Sequence, residues 1–156
     1  MILRSFKPTD RGWIIARHRA LYAKEFGFTP DFGDSIAEKL DAFLAREDPV
    51  KRLWIAEEAG QRIGSIALSD RDGAAFLNFV LLEPAARGRG LGNRLVQTAL
   101  AHARSQGFTR TMLETYSCLT AARALYRTHG FEIAETESGW HRFGQSFDRE
   151  IWQAEL

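Results

Sequence analysis

Three glycines alternate with charged and apolar residues in the run Arg87-Gly88-Arg89-Gly90-Leu91-Gly92-Asn93, with Arg94 next in line. Glycine lets the backbone approach an anion closely, and successive amides can converge into a nest around it. Arg87, Arg89 and Arg94 put positive charge in the same place. A solvated tight turn can have this composition, so the flanking segments decide the reading. Ahead lies the apolar run Phe76 to Leu82, closed by Glu83-Pro84, as suits a strand buried on both faces. Behind it Leu91, Leu95, Val96, Ala99, Leu100 and Ala103 recur at the spacing of one helical face. The first N–H groups of a helix lack internal partners, and the helix dipole there favours negative charge. A strand, a glycine turn and a helix start therefore predict a diphosphate site.

Spacing excludes two familiar diphosphate ligands. A dinucleotide fingerprint needs a glycine three residues after Gly90, where Asn93 stands. A P-loop needs a lysine in the turn, and none is near. What remains is Arg87-x-x-Gly90-x-Gly92, preceded by Leu82-x-Pro84. Other reactive residues carry weaker patterns. Cys118 has no histidine placed beside it, and a lone cysteine is commonly a buried packing residue. His18, His102, His129 and His141 lack metal-ligand spacing, so no metal is expected. Gly64-Ser65 does not form a nucleophile elbow.

The elements that must position the turn follow in order. Ile2 to Phe6 reads as a strand, ended by Lys7-Pro8-Thr9-Asp10 with Thr9 or Asp10 as a helix cap. Trp13 to Phe26 reads as an amphipathic helix with Trp13, Ile14, Ala16, Ala20, Leu21, Ala23 and Phe26 apolar. An aromatic loop, Gly27 to Gly33, precedes a second helix from about Ser35 to Arg46. Leu53 to Glu58 and Arg62 to Ser69 form a hairpin through Ala59-Gly60-Gln61, and Asp70 to Gly73 turns into the central strand. After the central helix, Gln106-Gly107 is a stop. Thr109 to Tyr116 is a strand and Ala121 to His129 a helix ending at Gly130. Phe131 to Thr136 and Phe147 to Ala154 are the last strands, around a loop from Ser138 to Ser146. This order predicts an α/β (α+β) domain, with about four helices covering a mixed, largely antiparallel sheet of six to seven strands.

Bulk properties agree with one domain over residues 1–156. A formal charge of +1 argues against general nucleic-acid binding. No apolar run is long enough to span a bilayer, and MILRSFKPTD lacks a signal-peptide core. One cysteine rules out an internal disulfide and fits a reducing, cytoplasmic setting. A homodimer remains allowed.

Leu82-x-Pro84 followed by Arg87-x-x-Gly90-x-Gly92 resembles the acetyl-CoA signature of the GNAT superfamily of N-acetyltransferases. The order of elements is similar along the whole chain. Ala122-x-x-Leu125-Tyr126-x-x-x-Gly130-Phe131 resembles the family's closing motif. A nearer resemblance is to acetyltransferase domains fused behind MarR-like regulators, through His18-x-x-x-Tyr22-x-x-Glu25-Phe26-Gly27 and Phe143-Gly144. No winged-helix segment accompanies them here.

The resemblance implies a sheet splayed at its centre, with acetyl-CoA as co-substrate and a primary amine of a small molecule or peptide as acceptor. It implies that the backbone of Val80, Leu81 and Leu82 binds pantetheine, and that the amides of Arg87, Gly88, Arg89, Gly90, Leu91, Gly92 and Asn93 bind diphosphate. Tyr126 is implied as the acid that protonates the leaving thiolate, and Glu83 or Glu114 as the base. The family often has an asparagine seven residues before that tyrosine; Leu119 stands there, with Ser117 or Thr120 as substitutes. The acceptor side is expected at the end of the first helix and the loop after it, from Tyr22, Glu25, Phe26 and Phe28, with Trp140, His141 and Phe143 in the later loop. A carboxylate beside aromatic faces suits an ammonium group. The contrasting reading is a non-catalytic acyl-CoA-binding sensor or scaffold.

Overall fold

The computed structural model describes residues 1–156. The chain runs β1 (Ile2–Ser5), α1 (Arg11–Phe26), α2 (Asp31–Ala45), β2 (Arg52–Glu58), β3 (Gln61–Arg71) and β4 (Ala74–Leu82). It continues through α3 (Leu91–Ser105), β5 (Arg110–Tyr116), α4 (Thr120–Thr128), β6 (Glu132–Arg142) and β7 (Gln145–Glu155). The seven strands form one sheet in the order β1-β2-β3-β4-β5-β7-β6. Every pairing is antiparallel except β4 with β5. No helix is long and apolar enough to cross a membrane.

Alternation along the strands sends side chains into two cores, one on each face. On one face Leu53, Ile55, Ala67 and Phe79 meet Ile14 and Ile15 of α1 and Phe32, Ile36, Leu40 and Phe43 of α2. On the other, Ile66, Leu68, Leu77, Leu113 and Trp152 meet Leu95, Val96, Ala99 and Leu100 of α3 and Tyr126 of α4. All six apolar positions expected on the face of α3 are buried.

Four local expectations need correction. The buried stripe of α1 is Ile14, Ile15, His18 and Leu21, whereas Ala16, Ala20 and Ala23 face solvent. A polar ring thus occupies a core-facing position. The second helix starts at Asp31 rather than Ser35, because Pro30 presets helical φ (−57°) and Asp31 and Asp34 suit the first turn. The connection between α1 and α2 therefore shrinks to Gly27–Pro30. Asp10 precedes α1 but does not cap it through its side chain. Its carboxylate instead accepts from Arg4, from Arg62 at 2.8 Å and from the Lys7 amide at 2.7 Å. Finally, the expected loop 138–146 is mostly strand: β6 runs to Arg142 and reverses at Phe143-Gly144, with φ of 55° and 74°. Its solvated composition belongs to an edge strand, and Phe143 accepts the unusual φ because its ring is buried beside Phe28 and Phe32.

Candidate active site

The site begins with an irregularity in β4. Asn78 pairs with Ala67 and Leu81 with Ser65, so β4 carries two residues, Phe79 and Val80, against one on β3. Phe79 takes φ 51°, held by the Asn78 side chain on its amide (2.9 Å) and by the Ser65 hydroxyl donating to its carbonyl (2.7 Å). A bulge of this kind bends its strand and increases local twist. The consequence is visible next door: β4 pairs with β5 only from Ala75 to Leu77. Beyond that point the two strands part, and a cavity opens on each side of the parting.

The larger, about 520 Å³, is bordered by Val80, Leu81 and Leu82, by the turn and start of α3, by the end of α1 and by the start of α4. None of the backbone N–H groups of residues 88–93 donates to a protein acceptor. Gly88 and Gly90 have φ of 74° and 76°, and a Cβ on either would meet no protein atom within 4 Å. A run of amides at a helix N-terminus without a close protein acceptor, with Gly88, Gly90, Leu91, Gly92 and Asn93 lining the cleft, suits a diphosphate. The arginines are already engaged: Arg87 pairs with Glu25 at 2.7 Å and Arg89 with Glu58 at 2.6 Å. The backbone, more than these side chains, is what the turn offers to an anion.

The smaller cavity, about 250 Å³, is enclosed by α1, α2 and the parting strands. All three tyrosines of the chain, Tyr22, Tyr116 and Tyr126, line it. Tyr126 is 5% exposed, and burial raises its pKa, so its phenol stays protonated. Burial likewise raises Tyr116, to about 12. Arg123 of α4 forks onto both oxygens of buried Glu150 on β7, at 3.0 and 3.1 Å, and so pins the helix that carries Tyr126. Glu114 also borders the cavity; one oxygen bonds Arg149 and the other stands 4.0 Å from Lys39.

His18 also lines this cavity and was not legible as a site residue from spacing. It is 2% exposed, and its Nδ1 lies 2.7 Å from the Ile14 carbonyl. A carbonyl only accepts, so Nδ1 carries the proton. Burial lowers the pKa of the ring to about 4, which leaves Nε2 an acceptor at neutral pH. No buried side-chain nitrogen or oxygen lacks a partner. Nε2 has no protein partner, and the ring is among the side chains that line the cavity. The available signal was a histidine in register with Ile14 and Leu21 on the apolar stripe.

The expected residues divide between the two cavities. Val80 and Tyr22 line both, as does Leu119. Glu25 and Phe26 border only the larger, and Phe28 borders neither, being packed among Phe32, Phe143 and Phe147. Tyr22, Phe26 and Phe28 pack on one another, with Phe28 buried in the core, and one oxygen of the Glu25 carboxylate accepts from Arg87. Of the two glutamates, Glu114 borders the small cavity, whereas Glu83 borders neither and is forked by Arg17. Of the substitutes for the missing asparagine, Thr120 lines the larger cleft, and the Ser117 hydroxyl accepts from the Asp148 amide. Cys118 is half-buried with its thiol pKa raised by burial, which keeps it a poor nucleophile.

Comparison with known proteins bears on this arrangement. Residues 16–131 match the model of the acetyltransferase (GNAT) family. An uncharacterized N-acetyltransferase of Escherichia coli K12, YjgM, is 34% identical over 124 residues, which is 76% of this chain and 74% of that protein. A mycothiol acetyltransferase of Salinispora tropica is 35% identical over 141 residues, covering 83% of this chain but only 44% of the longer protein. Among solved structures, ribosomal-protein-alanine N-acetyltransferase from Brucella melitensis superposes over the whole of both chains with a TM-score of 0.80 at 20% identity, a likeness of fold.

Proposed function

This chain belongs to the acetyltransferase (GNAT) family, and on that premise we propose that residues 1–156 act as one domain transferring acetyl from acetyl-CoA to a primary amine. The observation that carries the reading is the run of unpartnered amides at residues 88–93, set where β4 and β5 part. These amides take the diphosphate of acetyl-CoA. The backbone groups of Val80, Leu81 and Leu82, released from β5, take the pantetheine, and Thr120 adds a hydroxyl on the opposite wall. The thioester then lies at the bulge, between the two cavities.

The acceptor enters through the smaller cavity as the neutral amine, because a protonated nitrogen has no lone pair to attack with. Its nitrogen adds to the thioester carbonyl, and the proton it loses passes to Glu114, the carboxylate bordering that cavity. The carbon–sulfur bond breaks, and Tyr126 gives its phenolic proton to the departing thiolate. Neutral His18 accepts a hydrogen bond through Nε2 and holds the amine, or a water relaying its proton, in line. Cys118, a protonated thiol, forms no acyl intermediate, so transfer is direct. Glu83, forked by Arg17, braces α1 against the end of β4.

The test is incubation with acetyl-CoA and a panel of polyamines, amino acids, aminoglycosides and peptides, reading released thiol and product mass together. Amine-dependent thiol release matched by an acetylated product supports the reading. Acetyl-CoA binding with no release in the presence of any amine makes the chain a sensor or scaffold instead.

A further inference from the structure

The mouth of the smaller cavity gathers more positive charge than it neutralises. Lys39 and Arg46, from the second half of α2 and the residue after it, and Arg71, from the end of β3, line it together with one carboxylate, Glu114. That carboxylate pairs with Arg149 through one oxygen and stands 4.0 Å from Lys39 through the other, which leaves Arg46 and Arg71 without a carboxylate partner. The Arg71 guanidinium forms no ion pair and no hydrogen bond with a protein group, whereas its backbone pairs with Ala74 in the sheet. Its neighbour Asp72 does not pair with it either. The guanidinium carbon lies over the Phe76 ring, 3.6 Å from its centre, a cation–π contact that holds the group without using its N–H donors. Arg46 spends one N–H on the Asp70 carbonyl, close enough that the two arginines repel. Cations collected against mutual repulsion, one of them pre-stacked and unpaired, make a receptor for an anion.

We propose that the acceptor is an amine that also carries an anionic group, a carboxylate or a phosphonate-like oxyanion, received by Arg71 with Arg46 and Lys39. The inference rests on the acetyl-transfer reading and names the substrate class of the same site. Phe76, under Arg71, stands three residues from the bulge at Phe79, which is roughly 10 Å along a strand. The anion and the reacting amine are therefore separated by several bonds, as in an ω-amino acid or the terminus of a short peptide, rather than sharing one carbon. Phe32, Ile36 and Phe43 give the same cavity an apolar lining, which suits a methylene or side-chain spacer.

The experiment compares ω-amino carboxylates of increasing length with aminoalkyl phosphonates of equal length and with the matching neutral carboxamides. Steady-state acetylation and acetyl-CoA affinity are measured on the same samples. Acids are expected to exceed their carboxamides by about tenfold to a hundredfold in kcat/KM, the range of one or two charge-assisted hydrogen bonds. The preference should grow with chain length before it levels. Arg71→Gln should bring the acid-to-carboxamide ratio in kcat/KM close to one with acetyl-CoA affinity unchanged, and Arg71→Lys should restore part of the ratio. The ratio of phosphonate to carboxylate tells which oxyanion is favoured. Equal use of acids and carboxamides, an undiminished preference in Arg71→Gln, or transfer to no anionic amine while acetyl-CoA binds would each overturn the substrate class. Absence of acetyl-CoA binding would instead overturn the parent reading.

Discussion

Replacing Gly90 by alanine separates what the turn does for folding from what it does for a ligand. Gly90 sits at φ 76°, ψ 7°, where an L-residue costs about 1 kcal/mol relative to glycine. A Cβ there meets no protein atom within 4 Å, so no clash adds to that strain. For a chain of this size the loss corresponds to a fall in Tm of roughly 2–4 °C. The new methyl group does project into the cleft that the diphosphate is proposed to fill. Displacing the ligand from one or two of the amides of residues 88–93 removes charge-assisted hydrogen bonds worth about 3 kcal/mol together, or roughly a hundredfold in Kd. Gly107, at the far end of the same helix, is the matched control. Its φ is 84°, a Cβ there is equally free, and it borders neither cavity. Calorimetric titration with acetyl-CoA, alongside thermal unfolding of both variants, should show similar losses of stability but weakened binding in Gly90→Ala alone. Equal affinities in the two variants would refute the assignment of the amides as the diphosphate site.

Further tests address the chemistry and the buried ring. Tyr126→Phe should lower kcat by about a hundredfold, the usual scale of general-acid help, with acetyl-CoA affinity nearly unchanged; full turnover would show the hydroxyl to be dispensable. Glu114→Gln should cause a loss of similar order in turnover. Glu83→Gln, which breaks a partly exposed pair with Arg17, should chiefly lower stability, by about 1 kcal/mol; a larger turnover loss in Glu83→Gln than in Glu114→Gln would exchange their roles. His18 is neutral when folded down to about pH 4, whereas an ordinary imidazole takes up a proton near 6.5. The folded state is thus penalised as pH falls through that window, by about 3 kcal/mol at its lower end, and the full stability is present above it. Denaturant unfolding across the window should show that loss in the wild type and a shallower one in His18→Gln; identical pH slopes would place the ring in solvent.

The sequence made the turn legible because its signal is local. Glycines at fixed offsets, a proline stop and a helical repeat all fall between Phe76 and Ala103, and β4, the turn and α3 follow that pattern closely. The bulge was hidden, since it depends on how β4 registers against β3; its one trace is Asn78 inside an apolar run. The last hairpin was obscured for a different reason. Strand β6 lies at the sheet edge with nearly all its residues exposed, so no alternation marks it. Roles at the site were the least legible, because partners far apart in the chain decide them. Arg17 pairs with Glu83 across 66 positions, and Arg87 with Glu25 across 62. The cationic mouth likewise assembles from the end of one helix and the end of a hairpin, and no window of sequence contains both.

The most direct measurement is the structure of the protein with CoA bound. Diphosphate oxygens are expected within hydrogen-bond distance of the amides of residues 88–93, pantetheine along Val80 to Leu82, and the sulfur within about 3.5 Å of the Tyr126 hydroxyl or joined to it through one water. A diphosphate bound away from that turn, or a sulfur remote from Tyr126, would contradict the proposed mode of binding.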